Sequence, residues 1–288
     1  MYYQGDRVLV PCIMRCGKCK ACADKFYGHC KEGGWVLGNT INGLQTEYAR
    51  IPLADASCYR LPRGVDGADE DKYVMLSDIV PTALEVGLMD GEIKKGATIG
   101  IVGVGPVGLA ALIASVAMYS PKRVFVVDVN QHRLKVAASM GATDLIDNSK
   151  GDAAEQIMRE TNGVGLDLAI ECSGMTVGWE VCQDTVRAGG NIALMGVYGQ
   201  PATINLERMW YRNFKMSAGM VHCHTIDALM DKVQSRQLDA DKLITHQFKL
   251  SEIDKAYDTF VNASKTGALK VLITNDVSPP SVSMASRL

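Results

Sequence analysis

The sequence predicts an α/β protein with a doubly wound parallel sheet, and two observations support this prediction. A glycine-rich turn at residues 103–108 stands between an apolar segment and a helical one. Strand-like and helix-like segments then alternate as far as residue 199, which is typical of parallel sheets covered by helices on both faces. Four cysteines lie within residues 16–30, before this alternation begins.

The glycine-rich turn predicts a site for a dinucleotide. Residues 97–102 are apolar and rich in β-branched side chains, which favours a buried parallel strand. A helical segment follows the turn to about residue 118, and the turn itself consists of Gly103, Val104, Gly105, Pro106, Val107 and Gly108. In such a turn the first glycine permits the tight bend, and the second lets the backbone approach a pyrophosphate. The third lets helix and strand pack closely.

An acidic residue at the end of the next strand indicates which dinucleotide the turn would bind. That strand is predicted over 123–128 and ends at Asp128, twenty positions beyond Gly108. A carboxylate at this distance accepts hydrogen bonds from the adenosine ribose hydroxyls. Because it also repels a 2′-phosphate, NAD is favoured over NADP, although Arg133 a few residues later could offset part of that preference.

The remaining alternation extends the sheet and suggests further cofactor contacts. Helices are predicted over 132–142, 153–162 and 179–190, and strands over 144–148, 166–174 and 191–199. Ligands of doubly wound sheets bind outside the carboxyl ends of the strands. Candidate cofactor contacts are therefore Cys172 near the end of one strand and Gly196, Val197 and Tyr198 near the end of the next.

The four cysteines predict a metal site. Cys16, Cys19, Cys22 and Cys30 follow the spacing C-x2-C-x2-C-x7-C, and thiolates this close in a reducing compartment suit tetrahedral zinc. Three other readings stay open. One is an iron–sulfur cluster, although the last gap departs from the ferredoxin pattern; the others are a redox C-x-x-C pair and thiols without a ligand. Four thiolate ligands leave no open coordination position, so the zinc would be structural rather than catalytic.

Composition places the chain among ordinary globular proteins. Hydrophobic residues make up 47% and charged residues 22% of 288 positions, and the formal net charge is −2. This balance, without a basic block, argues against nucleic acid or an anionic membrane as a partner. Nine cysteines in a chain without a visible secretory signal indicate reduced thiols and a metal site in the cytoplasm. His222 and His224 flank Cys223, a spacing that is more often incidental than metal-binding.

Several motifs together resemble the zinc-dependent medium-chain alcohol dehydrogenases, in the branch with NAD-dependent primary and secondary alcohol dehydrogenases. These motifs are GDRVLVPC, the cysteine segment CGKCKACADKFYGHC, GGWVLGNTINGLQTEYARIP, LSDIVPTALEVG, GVGPVG, VVDVN and KLITHQFKLSEIDKAYDTF. The resemblance covers nearly the whole chain, from residue 5 to about residue 273.

The resemblance implies a Rossmann domain inserted into a GroES-like, β-rich catalytic domain. The implied division is a partial GroES-like part at 1–80, the Rossmann domain at 81–220, and a return segment of the catalytic domain with a polar tail at 221–288. The cysteine segment corresponds to the structural zinc site of the family. By the same resemblance Thr82 lies near the nicotinamide, Lys270 reaches the pyrophosphate, and Asp78 is a ligand of the catalytic zinc. The tail from residue 275 is expected to be disordered.

The resemblance is incomplete at the catalytic zinc. The family contributes an early cysteine and a Gly-His-Glu motif before GDRV, but only four residues precede Gly5 and no Gly-His-Glu occurs in the chain. The resemblance therefore implies that an amino-terminal portion is missing and that Asp78 alone represents the catalytic zinc site. One carboxylate does not hold zinc, because affinity depends on several converging ligands.

The function implied is that of a zinc-containing oxidoreductase that transfers hydride between a small primary or secondary alcohol and NAD. Its substrates would be alcohols, aldehydes or ketones, and the protein is expected to form a homo-oligomer, as its relatives do. A truncated homologue that binds NAD without catalysis is the alternative. A zinc-free reductase of the same superfamily is disfavoured, since such enzymes usually lack the four-cysteine segment.

Overall fold

The first part of the chain has little regular structure and is organised around one strand pair. The computed structural model describes residues 2–65 and 69–277; the predicted disorder after residue 277 concerns residues outside these ranges. Strands β1 (Val8–Leu9) and β2 (Tyr59–Arg60) pair antiparallel. The short helices of this part are α1 (Lys20–Ala23), the 3₁₀ turn Tyr27–His29 and α2 (Ala54–Ser57).

A run of consecutive short helices leads from this part into the main sheet. They are α3 (Asp71–Val74), the 3₁₀ turn Met75–Ser77, α4 (Ile79–Thr82) and a π-helix at Ala83–Met89. π-helices are rare and occur frequently at functional sites. Asp78 stands at the junction between the 3₁₀ turn and α4.

The largest element is a six-stranded parallel sheet. Its strands are β3 (Thr98–Val102), β4 (Arg123–Asp128), β5 (Asp144–Asp147), β6 (Leu166–Glu171), β7 (Val186–Leu194) and β8 (Lys215–Ala218), in the spatial order β5-β4-β3-β6-β7-β8. Strands β4 and β5 follow β3 on one side, and β6, β7 and β8 follow on its other side, as in a doubly wound dinucleotide-binding fold. This topology confirms the predicted fold class.

Helices cover both faces of this sheet. They are α5 (Pro106–Tyr119), α6 (Gln131–Ser139), α7 (Ala153–Glu160) and α8 (Thr176–Thr185), with 3₁₀ turns at Asn148–Lys150 and Trp210–Arg212 and helix α9 (Leu206–Met209). One buried cluster contains Leu109 and Leu112 of α5 and the π-helix. The other contains Phe125 of β4 and Trp179 of α8. The apolar stretch 97–118 is thus shared by β3 and α5, and none of the described helices has the length and apolarity to cross a membrane.

The boundary between α8 and β7 differs from the prediction. The sequence pattern predicts a helix over 179–190 and a strand over 191–199, but α8 ends at Thr185 and β7 begins directly at Val186. Between the pairs Leu166–Val186 and Leu168–Asn191, β6 advances two residues while β7 advances five. The residues 187–190 therefore form a bulge, and Gly189 within it has φ +70°, which favours glycine over a helical residue.

The last part of the chain returns to the first. It contains α10 (Ile226–Gln234), the 3₁₀ turns Ala240–Leu243 and Leu250–Glu252, the parallel pair β9 (Ile244–Lys249) and β10 (Lys270–Thr274), and helices α11 (Ile253–Val261) and α12 (Ala263–Thr266). This last part is bound to the π-helix through Glu85, a residue that is 3% exposed. Its carboxylate accepts hydrogen bonds from the backbone of His222 and Cys223 and from both backbone and side chain of Thr225.

Candidate dinucleotide crevice and metal sites

The turn after β3 requires glycine at two of its positions. Gly103 has φ +89°, and a Cβ placed on it would lie 2.9 Å from the backbone nitrogen of Ser173. A Cβ on Gly108 would lie 2.0 Å from the carbonyl oxygen of Gly103, where no side chain fits. These contacts agree with the predicted functions of the first and third glycines, a tight bend and close helix–strand packing.

Gly105 serves a different purpose, because the space in front of it is open. The nearest atom that a Cβ on Gly105 would meet is Nη1 of Arg133, at 3.8 Å. Gly105 is also the N-cap of α5, and Pro106 and Val107 form its first turn. The unpaired N–H groups and the positive end of a helix dipole attract anions. The geometry therefore offers an anionic ligand an open helix N-terminus with a guanidinium beside it.

Asp128 lies at the carboxyl end of β4 with a fixed orientation. Its Oδ2 accepts a hydrogen bond from the backbone N–H of Val104 at 2.9 Å, and its Oδ1 accepts one from that of Asn130 at 2.9 Å. The carboxylate is thus tied to the glycine turn and retains lone pairs for a ligand hydroxyl. The structure brings Asp128 and the glycine turn together, as the sequence spacing predicts.

The loops after β6 and β7 contain the other predicted contacts. The Val197 side chain is 93% exposed, while its carbonyl oxygen lies 2.4 Å from the point where a Cβ of Gly174 would stand. Gly196 donates its backbone N–H to the carbonyl of Glu171 at 3.1 Å. The two loops therefore touch each other at the carboxyl edge of the sheet, where a crevice between them and the glycine turn can hold a ligand.

Two side chains in these loops point into protein rather than toward the open edge. The Sγ of Cys172 lies 3.8 Å from the carbonyl oxygen of Ile170, and burial raises the pKa of the Cys172 thiol. The hydroxyl of Tyr198 is buried and has no hydrogen-bond partner among the described residues. Burial, followed by the nearby charge of Glu171, raises the pKa of Tyr198, so both side chains are neutral at neutral pH.

Glu171 is a residue that sequence reasoning missed. It ends β6 with 0% exposure, and its carboxylate accepts hydrogen bonds from the backbone N–H groups of Ser173 at 2.8 Å and Gly174 at 3.0 Å. The Ser173 hydroxyl donates to it as well. An acid at the end of an otherwise apolar strand, followed by Ser and Gly, was the available signal. The predicted strand runs on to residue 174, but Gly174 has φ +66° and turns the chain away.

Asp78 and Thr82 meet at the wall of a large open cavity. The hydroxyl of Thr82 donates to Oδ1 of Asp78 at 3.1 Å, and Sγ of Cys12 lies 3.8 Å from the same oxygen. The cavity measures about 1050 Å³ and is lined by residues 10–12, parts of the loop 37–50, and residues 77–78. Sequence reasoning did not associate Cys12 with Asp78, because Cys12 lies outside the spacing pattern of the four clustered cysteines and is far from Asp78 in the sequence.

The possible metal ligands in contact at Asp78 are its carboxylate and one thiol. The thiol of Cys12 is its neighbour, and the next sulfur, that of Cys223, is 3.8 Å beyond Cys12 and buried. In residues 2–65 and 69–277 the one group of three or more potential ligands that converge is the cysteine segment. Catalytic zinc in proteins typically has three protein ligands, and the described residues bring the Asp78 carboxylate and the Cys12 thiol together here.

The cysteine segment does fit zinc. The four sulfur atoms lie within 4.8 Å of one another, and three of their separations are 3.6, 3.9 and 3.9 Å. Tetrahedral zinc with bonds of about 2.3 Å places its sulfurs about 3.8 Å apart. Hydrogen bonds from the backbone of Lys31 and Cys22 lower the pKa of Cys19 to about 6, while burial raises the pKa of Cys22 to about 11. Cys16, Cys19, Cys22 and Cys30 would therefore hold the ion in a closed, structural site.

The remaining predicted residue, Lys270, lies at the start of β10. With Tyr257 and Phe260 it lines a cavity of about 290 Å³ on the two-stranded sheet. Gly267, three residues earlier, lies against the ring of His132 on α6, since a Cβ there would stand 3.1 Å from Nε2. The segment before β10 thus reaches the helix that carries Arg133, whereas Lys270 itself faces the two-stranded sheet.

His222 and His224 contact the protein without forming part of a ligand group among the described residues. Nδ1 of His222 accepts the backbone N–H of Gly28 at 3.3 Å, and Nδ1 of His224 lies 3.4 Å from the Glu85 carboxylate. Burial lowers the pKa of His222. That the pair is incidental to metal binding stays a prediction.

Comparison with known proteins identifies the family. Residues 2–63 match the family model of the alcohol dehydrogenase GroES-like domain, and residues 106–235 match that of zinc-binding dehydrogenases. An alcohol dehydrogenase of Cupriavidus necator is 30% identical over 265 residues, which cover 91% of this chain and 69% of the relative. An NADP-dependent isopropanol dehydrogenase of Entamoeba histolytica is also 30% identical, covering 88% and 70% of the two chains. The apo structure of zinc-dependent alcohol dehydrogenase 2 from Streptococcus pneumoniae has a TM-score of 0.90 and 39% identity, over 96% of this chain and 78% of that one. Together with the four-sulfur site and the glycine turn, these matches show that the chain belongs to the zinc-dependent medium-chain alcohol dehydrogenase family.

Proposed function

We propose that this chain binds NAD(H) in the crevice at the carboxyl edge of its six-stranded sheet, as the cofactor half of a small-alcohol dehydrogenase. The observation that carries the proposal is the pairing of the open Gly105 face with the fixed Asp128 carboxylate. The pyrophosphate would lie at the N-terminus of α5, and Asp128 would accept hydrogen bonds from the adenosine ribose. Gly103, Pro106, Val107 and Gly108 shape the turn that allows this approach.

NAD is the proposed cofactor rather than NADP, because the Asp128 charge lies where a 2′-phosphate would stand. Arg133 is the opposing influence, since its guanidinium lies beside Gly105. The Entamoeba relative is named an NADP-dependent enzyme, so cofactor preference within these relatives depends on local residues. Here the carboxylate has two backbone donors that hold it in place, whereas the arginine is placed to serve the pyrophosphate.

The substrate of the complete reaction is proposed to be a small primary or secondary alcohol, or its aldehyde or ketone. Asp78 lines the large cavity and accepts a hydrogen bond from Thr82, and we propose that such a substrate would meet the nicotinamide beside these two residues. Cys172, Gly196, Val197 and Tyr198 belong to the loops proposed for the nicotinamide side, and Lys270 is proposed to reach the pyrophosphate, since the segment before it lies against α6 at His132. The zinc in the cysteine segment supports the fold and takes no part in hydride transfer.

A second candidate function is NAD binding without catalysis by these 288 residues alone. It is favoured by the donor set at Asp78, where the described residues place one carboxylate and the Cys12 thiol. Hydride transfer in this family depends on an acidified, polarised substrate oxygen. With two donors, we propose that zinc-dependent turnover requires further ligands.

The molecule is also proposed to work as a homo-oligomer. Strand β8 forms one edge of the six-stranded sheet, and Met216 on it, with Trp210 and Tyr211 beside it, is exposed. An edge strand with free backbone groups and apolar neighbours is suited to pair with another copy.

The proposed domains of each chain are a catalytic part, formed by residues 1–80 and 221–288, and a dinucleotide-binding domain at residues 81–220.

The test uses the purified 288-residue chain reconstituted with zinc. Fluorescence titrations with NADH and NADPH should give tighter binding of NADH, and metal analysis should give about one zinc per chain. Assays with small alcohols and NAD should show no zinc-dependent turnover by this chain alone. Absence of any dinucleotide binding would overturn the proposed function. Two zinc ions per chain together with turnover would instead overturn the proposal that the catalytic ligands are incomplete.

A further inference from the structure

The carboxylate of Glu171 occupies a central position in the proposed crevice. It ends β6, the strand that lies beside β3 on the side opposite β4. This is the point where the order of the sheet reverses direction, and ligands of doubly wound sheets bind outside the strands at that point. Glu171 itself is 0% exposed, so it reaches a ligand only through the residues that it holds.

The loop that follows β6 is organised by this carboxylate. Oε1 accepts the backbone N–H of Ser173 and also its hydroxyl, and Oε2 accepts the backbone N–H of Gly174 at 3.0 Å. The Ser173 hydroxyl in turn accepts the backbone N–H of Met175 at 3.1 Å. A buried carboxylate with several charge-assisted hydrogen bonds holds a loop in one conformation.

The same carboxylate touches the neighbouring loops. A Cβ placed on Gly196, in the loop after β7, would lie 2.3 Å from Oε2, and one on Gly178 of α8 would lie 2.6 Å from Oε1. The loop after β3 is within reach as well, since a Cβ on Gly103 would lie 2.9 Å from the nitrogen of Ser173. Glycine at 178 and 196 lets α8 and the loop after β7 pack on the Glu171 carboxylate, and Gly103 lets the loop after β3 pack on the backbone of Ser173, which that carboxylate holds.

We propose that Glu171 is a positioning residue for the nicotinamide half of the cofactor. The proposal rests on the proposed function, because it assigns the loops after β6 and β7 to the nicotinamide side of an NAD crevice. The adenosine half is held by different groups, Asp128 and the turn at Gly105. Loss of the Glu171 carboxylate should therefore weaken binding of the whole dinucleotide more than binding of its adenosine portion.

Glu171→Gln tests this inference with little change of shape. The amide retains one acceptor, and its NH₂ group then faces a backbone N–H or the Ser173 hydroxyl, which leaves buried donors unpaired. The dissociation constant of NADH should rise about tenfold, a factor typical of one lost buried interaction. That of AMP, measured by calorimetry on the same protein, should change less than about twofold. Ser173→Ala, which removes one donor to the carboxylate, should shift NADH binding in the same direction by a smaller factor.

Asp167→Asn is the matched control. Asp167 lies near the amino end of the same strand, whereas Glu171 lies at its carboxyl end. Its carboxylate accepts hydrogen bonds from the backbone N–H of Thr98 and from the guanidinium of Arg187. The control should lower the melting temperature without changing the ratio of the NADH and AMP dissociation constants. An equal loss of NADH and AMP binding in Glu171→Gln, or unchanged NADH binding in both Glu171→Gln and Ser173→Ala, would overturn the inference. Failure of the unaltered chain to bind NADH would contradict the proposed function instead.

Discussion

At the scale of single residues, the site depends on a few positions where only one kind of side chain works. Gly103 and Gly108 leave no room for a Cβ, because the backbone of Ser173 and of Gly103 itself lies too close. Asp128 is held by two backbone donors, so its charge is presented at a defined place rather than averaged over rotamers. Asp128 is therefore the residue at which the proposed preference for NAD can be tested.

Asp128→Asn should shift the cofactor preference. Removing the charge weakens the acceptor for the ribose hydroxyls, and it also removes repulsion of a 2′-phosphate. The dissociation constant of NADH should rise about tenfold, while that of NADPH should stay constant or fall. Fluorescence titration with both nucleotides measures this. Asp184→Asn, at an exposed ion pair with Arg208, is the control, and an unchanged NADH affinity in Asp128→Asn would refute the cofactor assignment.

At the scale of elements, the cysteine segment has too little regular structure to be stable by itself. Helix α1 has four residues and the following 3₁₀ turn has three, and helices this short are unstable without tertiary support. Arg15 adds some support, since its guanidinium lies 4.3 Å from the ring centre of Tyr27. Zinc held by the four thiolates would be the larger contribution, because metal binding is coupled to ordering of the segment.

Removal of zinc should loosen this segment without affecting the dinucleotide crevice. After treatment with a chelator, amide hydrogen exchange in residues 16–30 should accelerate more than about tenfold, and α5 should exchange as before. The dissociation constant of NADH should change less than about twofold. Cys22→Ser should reproduce the exchange result, with the non-ligand Cys58→Ser as control. Slow exchange in residues 16–30 after verified loss of zinc would show that the ion is dispensable for this element.

At the scale of the whole molecule, one buried carboxylate joins parts of the chain that are far apart in sequence. Glu85 accepts hydrogen bonds from His222, Cys223 and Thr225, about 140 residues later. Cys223 has φ +60° in this segment, a conformation that L-residues rarely adopt and that the bonds to Glu85 stabilise. The return of the chain from the sheet to the first part therefore depends on this residue.

Glu85→Ala should destabilise the whole protein. The substitution leaves three backbone N–H groups and one hydroxyl without their acceptor in a buried place, at a cost of about 3 kcal/mol or more in the free energy of unfolding. Urea denaturation followed by circular dichroism measures it. Glu92→Ala is the control, because Glu92 forms an exposed ion pair with Lys215, and its loss should leave the free energy of unfolding nearly unchanged. Similar costs for the two variants would contradict the structural importance assigned to Glu85.

Predictions that depend on residues close together in the sequence are accurate, and those that depend on contacts with distant segments are not. Strand β4 has its predicted bounds, because a short apolar run ends abruptly at Asp128 and its partner turn has a strict glycine pattern. The predicted end of α8 is wrong, since residues 186–190 have no apolar alternation and their pairing with β6 depends on a bulge that only the neighbouring strand specifies. Glu171 escapes prediction for a related reason. The acid that ends β6, followed by Ser173 and Gly174, was a signal, but the packing of Gly178 and Gly196 on its carboxylate joins distant segments and is not visible in the sequence.

Local patterns in the sequence by themselves determined the doubly wound fold, the glycine turn with its acid, and the four-thiol zinc site. Each of these arises from residues close together in the chain, whose spacing is set by strand, helix and metal geometry. Only the tertiary structure decided which loops surround Glu171, that Cys12 stands beside Asp78, and that Glu85 fastens the returning segment. Those contacts join residues up to about 140 positions apart, and the burial that makes them strong exists only after the chain has folded.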